Sequence, residues 1–392
     1  MADNNSLDHV DECLADAKNI SLLNISLWLY SPKDIIFITI VVPIILCLGV
    51  INNSAFLFVM FRVPTMRSAT NICLAHLAVA DLLYLTVTSI VFIILTYTAS
   101  PSVENNVILS SSAKCFTFGA LRLTGYFVSI ALLTTVSFER YLAVCHPVKH
   151  RKIRGRRRTN TMVAICWVVG LMFACSLTLG TSAVIKTRCF IWPEVYQNFP
   201  TLFRYCGPVV DDAEIFAPPL SLVSWFTAMI ANVFMYIRII YALNKRRSAT
   251  FMKGNDHQAK QSRNKVVQLL IVNGVVFFTC QTPSIVNHLV YYYHMIIPTY
   301  GSNETYSLLA INKTWFAEIP LLINTIVNPL IYGAIHAQYR SAFIQAFRCN
   351  ARSSQRQLDN TIPAVSLQAM TRARNFTETN DTMLVKSNIT WL

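Results

Sequence analysis

Seven long apolar stretches, separated by short polar segments, dominate the pattern of the chain. Each is about long enough to cross a bilayer, which takes roughly 20 predominantly apolar residues in an α-helix. A segment in lipid must satisfy its own backbone hydrogen bonds, so helices are the expected structure. The pattern therefore predicts an all-α membrane protein, a seven-transmembrane helix bundle. The predicted spans are residues 35–61, 71–97, 116–144, 160–184, 215–243, 264–293 and 314–334.

A shorter periodic segment follows the seventh stretch. Tyr339, Phe343 and Phe347 recur every four residues, which places them on one face of a helix. This predicts a short amphipathic helix 8 along the membrane surface, with Cys349 after it as a palmitoylation candidate. The predicted organisation is an N-terminal arm at 1–34, a seven-helix domain at 35–334, helix 8 at 335–349 and a disordered tail at 350–392.

Composition and charge add the orientation. Of the 392 residues 54% are hydrophobic and 13% charged, about half the charged fraction of a soluble domain. The loops after the third and fifth spans are strongly basic, so we expect them in the cytoplasm and the N-terminus outside. The net charge of +14 is therefore a topology signal and does not predict binding to nucleic acid. The basic residues of the two loops are Lys149, Arg151, Lys152, Arg154, Arg156, Arg157, Arg158, Lys245, Arg246, Arg247, Lys253, Lys260, Arg263 and Lys265.

The segments predicted outside carry signs of an extracellular environment. Glycosylation sequons occur at Asn4, Asn19, Asn24 and Asn303. The first 18 residues are acidic and polar, so no cleavable signal peptide is expected.

Cysteines of the predicted outer segments favour a disulfide between the start of the third span and the second outer loop. Cys115 begins that span, and a bond from it would pin the loop over the bundle. We take Cys189 as the preferred partner and Cys206 as the alternative, because sequence does not fix connectivity.

Motifs spread over all the spans resemble the rhodopsin-like (class A) G-protein-coupled receptor family. The third span ends in Glu-Arg-Tyr at 139–141, and the last ends in Asn-Pro-Leu-Ile-Tyr at 328–332. The second contains Leu-Ala-Val-Ala-Asp at 77–81. The resemblance covers residues 35–349 and implies a plasma-membrane receptor that activates heterotrimeric G proteins and catalyses no bond chemistry. Further matches are Asn53, Cys115, Trp167 and Pro283.

The resemblance also implies how the receptor switches. Glu139 is expected to hold Arg140 at rest, until the sixth span swings outward and Tyr236 and Tyr332 reach toward that arginine. Pro283 is expected to kink the sixth span near the packing residue Phe277. The tail is expected to meet receptor kinases and arrestin. The expected activation residues are Glu139, Arg140, Tyr141, Tyr236, Phe277, Pro283, Asn328, Pro329 and Tyr332.

A polar cluster is expected around Asp81, the only acidic residue deep inside the first six spans. A charge at that depth needs partners. The resemblance implies that the cluster holds a sodium ion and waters; the alternative is a water-filled cluster without an ion. No other cofactor is expected. The polar residues at comparable depth are Asn53, Ser129, Asn324 and Asn328.

Two charged residues are expected in a ligand chamber between the third, fifth, sixth and seventh spans. Arg122 and Glu318 are expected to pair there when no ligand is bound. Arg122 stands where amine receptors carry an aspartate, which argues against an amine ligand. Gln281 replaces the tryptophan that is usual in the family. The other expected lining residues are Tyr126, Gln281, His288 and Trp315.

The nature of the ligand is open between two classes. The long loop at 185–213 suits a β-hairpin lid, and the acidic outer loops favour a cationic or amidated (neuro)peptide. The runs at 280–283 and 138–147 are similar to FMRFamide-type and thyrotropin-releasing-hormone-type receptors. A lipid or small organic acid, anchored by Arg122, is the alternative. An intramembrane hydrolase is disfavoured because Asp81 has no acidic partner at its depth.

Overall fold

The structure is a computed structural model. It describes residues 17–21, 25–103, 105, 107–153, 155–210, 213, 215–250, 257–296, 314–335 and 337–347. Asn4, Asn24, Asn303 and Cys349, which the sequence marks for modification, lie outside the described residues.

Long helices account for every predicted span, so the seven-helix bundle is confirmed. Six of them, α1 to α5 and α7, are long and apolar enough to cross a membrane on the described residues alone. The remaining helix, α6, contacts both α5 and α7. The helices are α1 Pro32–Arg62, α2 Ala69–Ala99, α3 Ser112–Cys145, α4 Arg156–Thr181, α5 Ala217–Thr250, α6 His257–Ile296, α7 Thr314–Ile335 and α8 Ala337–Phe347.

Two helix ends that differ from the predicted positions have a local cause. α1 begins at Pro32, before the predicted residue 35, because Ser31 and Asp34 form a capping box. The Ser31 amide donates to the Asp34 carboxylate at 2.7 Å, and the Asp34 amide donates to the Ser31 hydroxyl at 3.3 Å. α4 ends at Thr181, earlier than predicted, because a strand begins at Val184.

Helix α3 lies at the centre of the packing and contacts α2, α4 and α5. Its approach to α2 requires Gly125. A Cβ there would lie 2.7 Å from both the Ala80 carbonyl oxygen and the Tyr84 amide nitrogen. A buried cluster that includes Phe127 and Phe277 joins α3 to α6. The bundle is therefore held by close backbone contact as well as by side chains.

One face of helix α1 is apolar and exposed. Five apolar residues are spaced three or four apart on this face, and each is at least 51% exposed. A stripe of this kind is a liability in water and is the expected surface of a helix in lipid. It consists of Ile36, Ile40, Ile44, Leu48 and Ile51.

A small sheet lies at one end of the bundle, which we call the outer end; the opposite end is the inner end. Strands β2 (Val184–Ile191) and β3 (Leu202–Gly207) form the antiparallel hairpin that the long loop favours. The sequence does not predict the third strand, β1 (Lys18–Asn19), which pairs in parallel with β2. Trp28 packs on Phe190 with ring centroids 4.6 Å apart, so the N-terminal arm and the hairpin share a small apolar core.

The preferred disulfide is wrong and the alternative is right: Cys115 is bonded to Cys206. The register of the hairpin explains this. Cys206 lies opposite Ile185, whose amide donates to the Ser112 hydroxyl at the start of α3 at 3.0 Å. Cys189 is four residues farther along β2, about 13 Å away at the rise of a strand. Cys189 is itself disulfide-bonded.

Two compact units divide the chain at Phe343. The first contains the sheet, the seven long helices and the first turns of α8, where Tyr339 packs on Phe56 of α1 with ring centroids 5.5 Å apart. The described part of the second unit is the last turn of α8, residues 344–347.

Candidate functional site

The centre of the outer half of the bundle is an ion pair between α3 and α7. Arg122 Nη2 lies 3.3 Å from Glu318 Oε1, and the two side chains are 29% and 18% exposed. The Tyr84 hydroxyl of α2 donates to the other Glu318 oxygen at 3.3 Å. The guanidinium lies 5.1 Å from the centre of the Phe92 ring, an arrangement that stabilises a cation. The expected pairing of Arg122 with Glu318 is therefore present.

Two further expected residues meet deeper in the chamber. The Tyr126 hydroxyl of α3 donates to Gln281 Oε1 of α6 at 3.4 Å, and Gln281 is 2% exposed. His288, also on α6, interacts electrostatically with both Glu318 and Arg122, and its buried Nδ1 has no hydrogen-bond partner in the described ranges. The structure thus brings α3, α6 and α7 together around one set of polar side chains.

Trp315, another of the expected lining residues, contacts the start of α1. Trp315 Nε1 of α7 donates to Asp34 Oδ1 at 2.5 Å, so the carboxylate that caps α1 also holds α7. Tyr30 lies in the segment before α1 and packs edge-on against Tyr97. Burial, reinforced by the nearby Asp34 carboxylate, raises the pKa of Tyr30 to about 12.

A second polar site surrounds Asp81, which is 1% exposed. The Ser129 hydroxyl donates to Asp81 Oδ1 at 2.8 Å, and Asn328 Nδ2 donates to Oδ2 at 2.7 Å. Asn53 donates instead to the carbonyl oxygens of Gly49 and Thr325, each at 2.9 Å, and no described residue hydrogen-bonds its Oδ1.

The members of this cluster are oxygen-bearing groups of the kind that bind hard cations. Asp81 supplies a carboxylate, Ser129 a hydroxyl, and Asn53 a buried acceptor that is still free. Hard oxygen groups are the ligands that such ions prefer. Asn324 is buried on α7 at 5% exposure.

At the inner end, Glu139 does not make the contact with Arg140 that was expected for the resting state. Its carboxylate pairs with Arg158 of α4 at 2.6 Å and with His150 of the short inner-loop helix Pro147–Ile153 at 3.5 Å. Arg140 instead donates to the Thr70 hydroxyl of α2 at 2.6 Å. Consecutive residues on a helix point in different directions, so Glu139 faces α4 while Arg140 faces α2. Glu139 does not hold Arg140 in this structure.

The aromatic residues expected at the inner end have partners of their own. The Tyr236 hydroxyl of α5 is 2.9 Å from the Ser137 hydroxyl of α3. Tyr332 of α7 packs on Phe56 with centroids 5.5 Å apart. Tyr141 hydrogen-bonds His146 at 3.2 Å. Neither Tyr236 nor Tyr332 hydrogen-bonds Arg140 among the described contacts.

The packing residues expected around the sixth span are together. Phe277 is fully buried and shares a cluster with Ile130. Pro283 lies inside α6, and the helix continues through it to Ile296. Pro329 likewise lies inside α7. Asn19, the glycosylation candidate among the described residues, is exposed in β1.

Several residues of these sites were missed from the sequence. Tyr84 had a usable signal, because it follows Asp81 by three residues and so shares its face of α2. Phe92, Asp34, Thr70 and Arg158 had none, because their roles depend on which helices approach each other.

A protein family and several known proteins are similar to this chain in sequence. The sequence profile of the "7 transmembrane receptor (rhodopsin family)" matches residues 52–332. The [Phe13]-bombesin receptor of Bombina orientalis is 24% identical over 322 residues, 80% of this chain and 76% of that protein. The human thyrotropin-releasing hormone receptor is 22% identical over 356 residues, 83% of this chain and 81% of its own. The mouse substance-K receptor is 25% identical over 348 residues, which are 87% of this chain and 83% of that protein. The chain belongs to the rhodopsin family of seven-transmembrane receptors.

Proposed function

We propose that the chain is a plasma-membrane receptor for an extracellular (neuro)peptide and that it signals through heterotrimeric G proteins. All three relatives named above carry the names of peptide or hormone receptors. The observation that carries the proposal is the Arg122–Glu318 pair, which lies about 10 Å along α3 from the Cys115 disulfide. Family membership makes the chain a receptor and leaves the hydrolase alternative without support.

The ion pair gives a peptide a way to act. Each of the two charges compensates the other, and removing one leaves the other unpaired in a partly buried site. A peptide with a cationic or amidated segment replaces Arg122 as the partner of Glu318, or separates the pair. A ligand that binds better once α3 and α7 have separated shifts the population toward that state. G protein that prefers the same state is then coupled to the ligand.

A lipid or small organic acid is the second candidate. One observation favours it: within the part of the chain that the structure describes, Arg122 Nε is buried without a hydrogen-bond partner and offers a donor to an anion. Glu318, 3.3 Å from the same guanidinium, opposes an anionic ligand by charge repulsion. The peptide is therefore preferred.

The Asp81 cluster is proposed as a sodium site. The carboxylate, the Ser129 hydroxyl and the free Asn53 Oδ1 are the residues that would hold the ion. When bound, the ion compensates the buried charge of Asp81 and favours the arrangement in which Asn328 is held to that carboxylate.

The remaining proposals concern the ends of the chain. The N-terminal arm lies outside the cell and is glycosylated at Asn4, Asn19 and Asn24. The outer loop before α7 is glycosylated at Asn303. Cys349 is palmitoylated, and the tail at 350–392 binds receptor kinases and arrestin when phosphorylated. These proposals are supported by the sequons, by the apolar face of α8 and by the serine and threonine content of the tail.

A ligand screen tests the proposed function. Cells that express the chain are exposed to a library of amidated and free-acid neuropeptides, with calcium and cyclic-AMP readouts. We expect an amidated peptide to activate the wild type and to lose potency in both Arg122→Ala and Glu318→Ala. Lys114→Ala is the control, because this exposed lysine is on α3 but outside the pair. Activation by an anionic lipid that depends on Arg122 alone would select the second candidate instead.

A further inference from the structure

Two arginines stand near one carboxylate at the inner end. Glu139 is 6% exposed, and its ion pair with Arg158 at 2.6 Å joins the end of α3 to the first turn of α4. His150 lies 3.5 Å from the other carboxylate oxygen and adds positive charge only when it is protonated. Arg140, the next residue along α3, is close enough to Glu139 to interact with it electrostatically but makes its contact elsewhere.

The position of Arg158 in α4 favours its ion pair with the Glu139 carboxylate. It lies in the first turn of α4 beside Arg156 and Arg157, and cations at a helix N-terminus are opposed by the helix dipole. Arg156 and Arg157 are exposed to solvent, whereas the Arg158 side chain is only 26% exposed. Glu139 therefore offsets the one arginine of this turn that solvent screens least.

Arg140 is left with weaker compensation. Its Nη2 donates to the neutral Thr70 hydroxyl at 2.6 Å, and its Nε is buried without a hydrogen-bond partner among the described residues. A buried cation without a carboxylate is costly, so Arg140 would gain more than Arg158 from any approach of Glu139. While Glu139 pairs with Arg158, no described carboxylate holds Arg140. Arg140 is therefore displaced from Thr70 most easily in that state.

We infer that Arg158 is a positioning residue for signalling: it competes with Arg140 for Glu139 and thereby sets how readily the receptor leaves its resting state. When Arg158 holds the carboxylate, Arg140 is free to leave α2 as α6 moves. When Arg158 is neutral, Glu139 turns to Arg140 and stabilises the resting state. The inference rests on the proposed function only in that one of its two readouts is G-protein activation.

The test combines Arg158→Gln and Glu139→Gln, singly and together, in full-length receptor in nanodiscs without any ligand. The first readout is basal nucleotide exchange on a panel of heterotrimers. We expect Arg158→Gln to lower it about threefold, a modest coupling for neighbouring charged residues, and Glu139→Gln to raise it. The double variant should behave like Glu139→Gln alone, because Arg158 acts only through that carboxylate.

The second readout needs no G protein. Spin labels on genetically encoded amino acids at Asn160 of α4 and Gln268 of α6, both exposed, report the position of α6. Arg158→Gln should increase the population with the shorter distance between the two labels, and Glu139→Gln should increase the population with the longer distance. Arg158→Lys should restore the wild-type distribution, because it restores the charge.

Arg157→Gln is the matched control, since it removes the same charge from the same helix turn at an exposed position outside the pair. The inference is overturned if Arg158→Gln leaves the distances unchanged, if Arg157→Gln has the same effect, or if the two substitutions act additively. A receptor that activates no heterotrimer while its α6 distances follow the expected pattern would refute the proposed function and support the competition.

Discussion

At the scale of single residues, the Arg122–Glu318 pair links stability to recognition. Glu318 accepts from both Arg122 and Tyr84, so removing it leaves two donors without a partner. We expect Glu318→Ala to lower the free energy of unfolding by roughly 1–3 kcal/mol, the cost of groups left unsatisfied. Glu318→Gln, which keeps an acceptor for Tyr84, should cost less.

A double-mutant cycle in detergent-solubilised receptor checks this by thermal unfolding. Arg122→Ala combined with Glu318→Ala should cost less than the sum of the single changes, because neither charge is then left alone. Additive losses would show that the pair contributes nothing as a pair.

Asp81 gives a second prediction at this scale. If the carboxylate holds a sodium ion, the wild type should unfold at a higher temperature in sodium chloride than in potassium chloride of the same ionic strength. Asp81→Asn keeps the size of the side chain and removes its charge, so the difference between the two salts should disappear. An equal sodium effect in wild type and variant would place the ion elsewhere.

At the scale of the elements, close helix packing makes a small residue decisive. Gly125→Ala puts a methyl group 2.7 Å from two backbone atoms of α2, which cannot move as a side chain does. We expect it to destabilise the receptor by about 1–3 kcal/mol, as overpacking does. Gly155→Ala is the control, because nothing lies within 4 Å of a Cβ there. Equal melting temperatures for the two variants would contradict the packing of α2 on α3.

The outer sheet carries a prediction about connectivity. Peptide mapping of the unreduced protein by mass spectrometry should recover Cys115 linked to Cys206. Cys189→Ser should leave that link intact, because the hairpin register holds Cys206 against the start of α3. Recovery of a Cys115–Cys189 link would show that β2 and β3 pair in another register.

Elements differ in how far their sequence predicts them. All seven spans were predicted, because each needs a long apolar run whatever surrounds it, but α5 ends at Thr250 and α6 begins at His257, each seven residues beyond the predicted end. The capping box at Ser31 and Asp34 was present in the sequence but was not used. Strand β1 is only two residues long, and its pairing with β2 depends on where the N-terminal arm folds, so no local pattern marked it.

At the scale of the whole molecule, the sequence predicted which polar residues face inward better than it predicted which of them pair. A charge inside a lipid-embedded bundle has few partners, so Arg122 found Glu318 and Asp81 found Asn328 as expected. Near the inner end basic groups are abundant. Glu139 had two arginines within reach, and the approach of α4 to α3 decided in favour of Arg158.

The two sites lie on the same helices, which is how an event at the outer end reaches the inner end. Helix α3 carries Arg122 at the chamber, Ser129 at the Asp81 cluster and Arg140 at the inner end. Helix α7 carries Glu318 and Asn328. A displacement of α3 against α7 at the chamber therefore also changes the contacts of Asp81 and Arg140.

Nucleotide exchange in a purified system tests this coupling most directly. The receptor is placed in nanodiscs with one heterotrimer at a time, and the most potent peptide from the screen is added. The account predicts that the peptide accelerates GDP release on at least one heterotrimer and that Arg140→Ala abolishes the acceleration while peptide binding persists. A peptide that binds the chamber without accelerating exchange on any heterotrimer would contradict it.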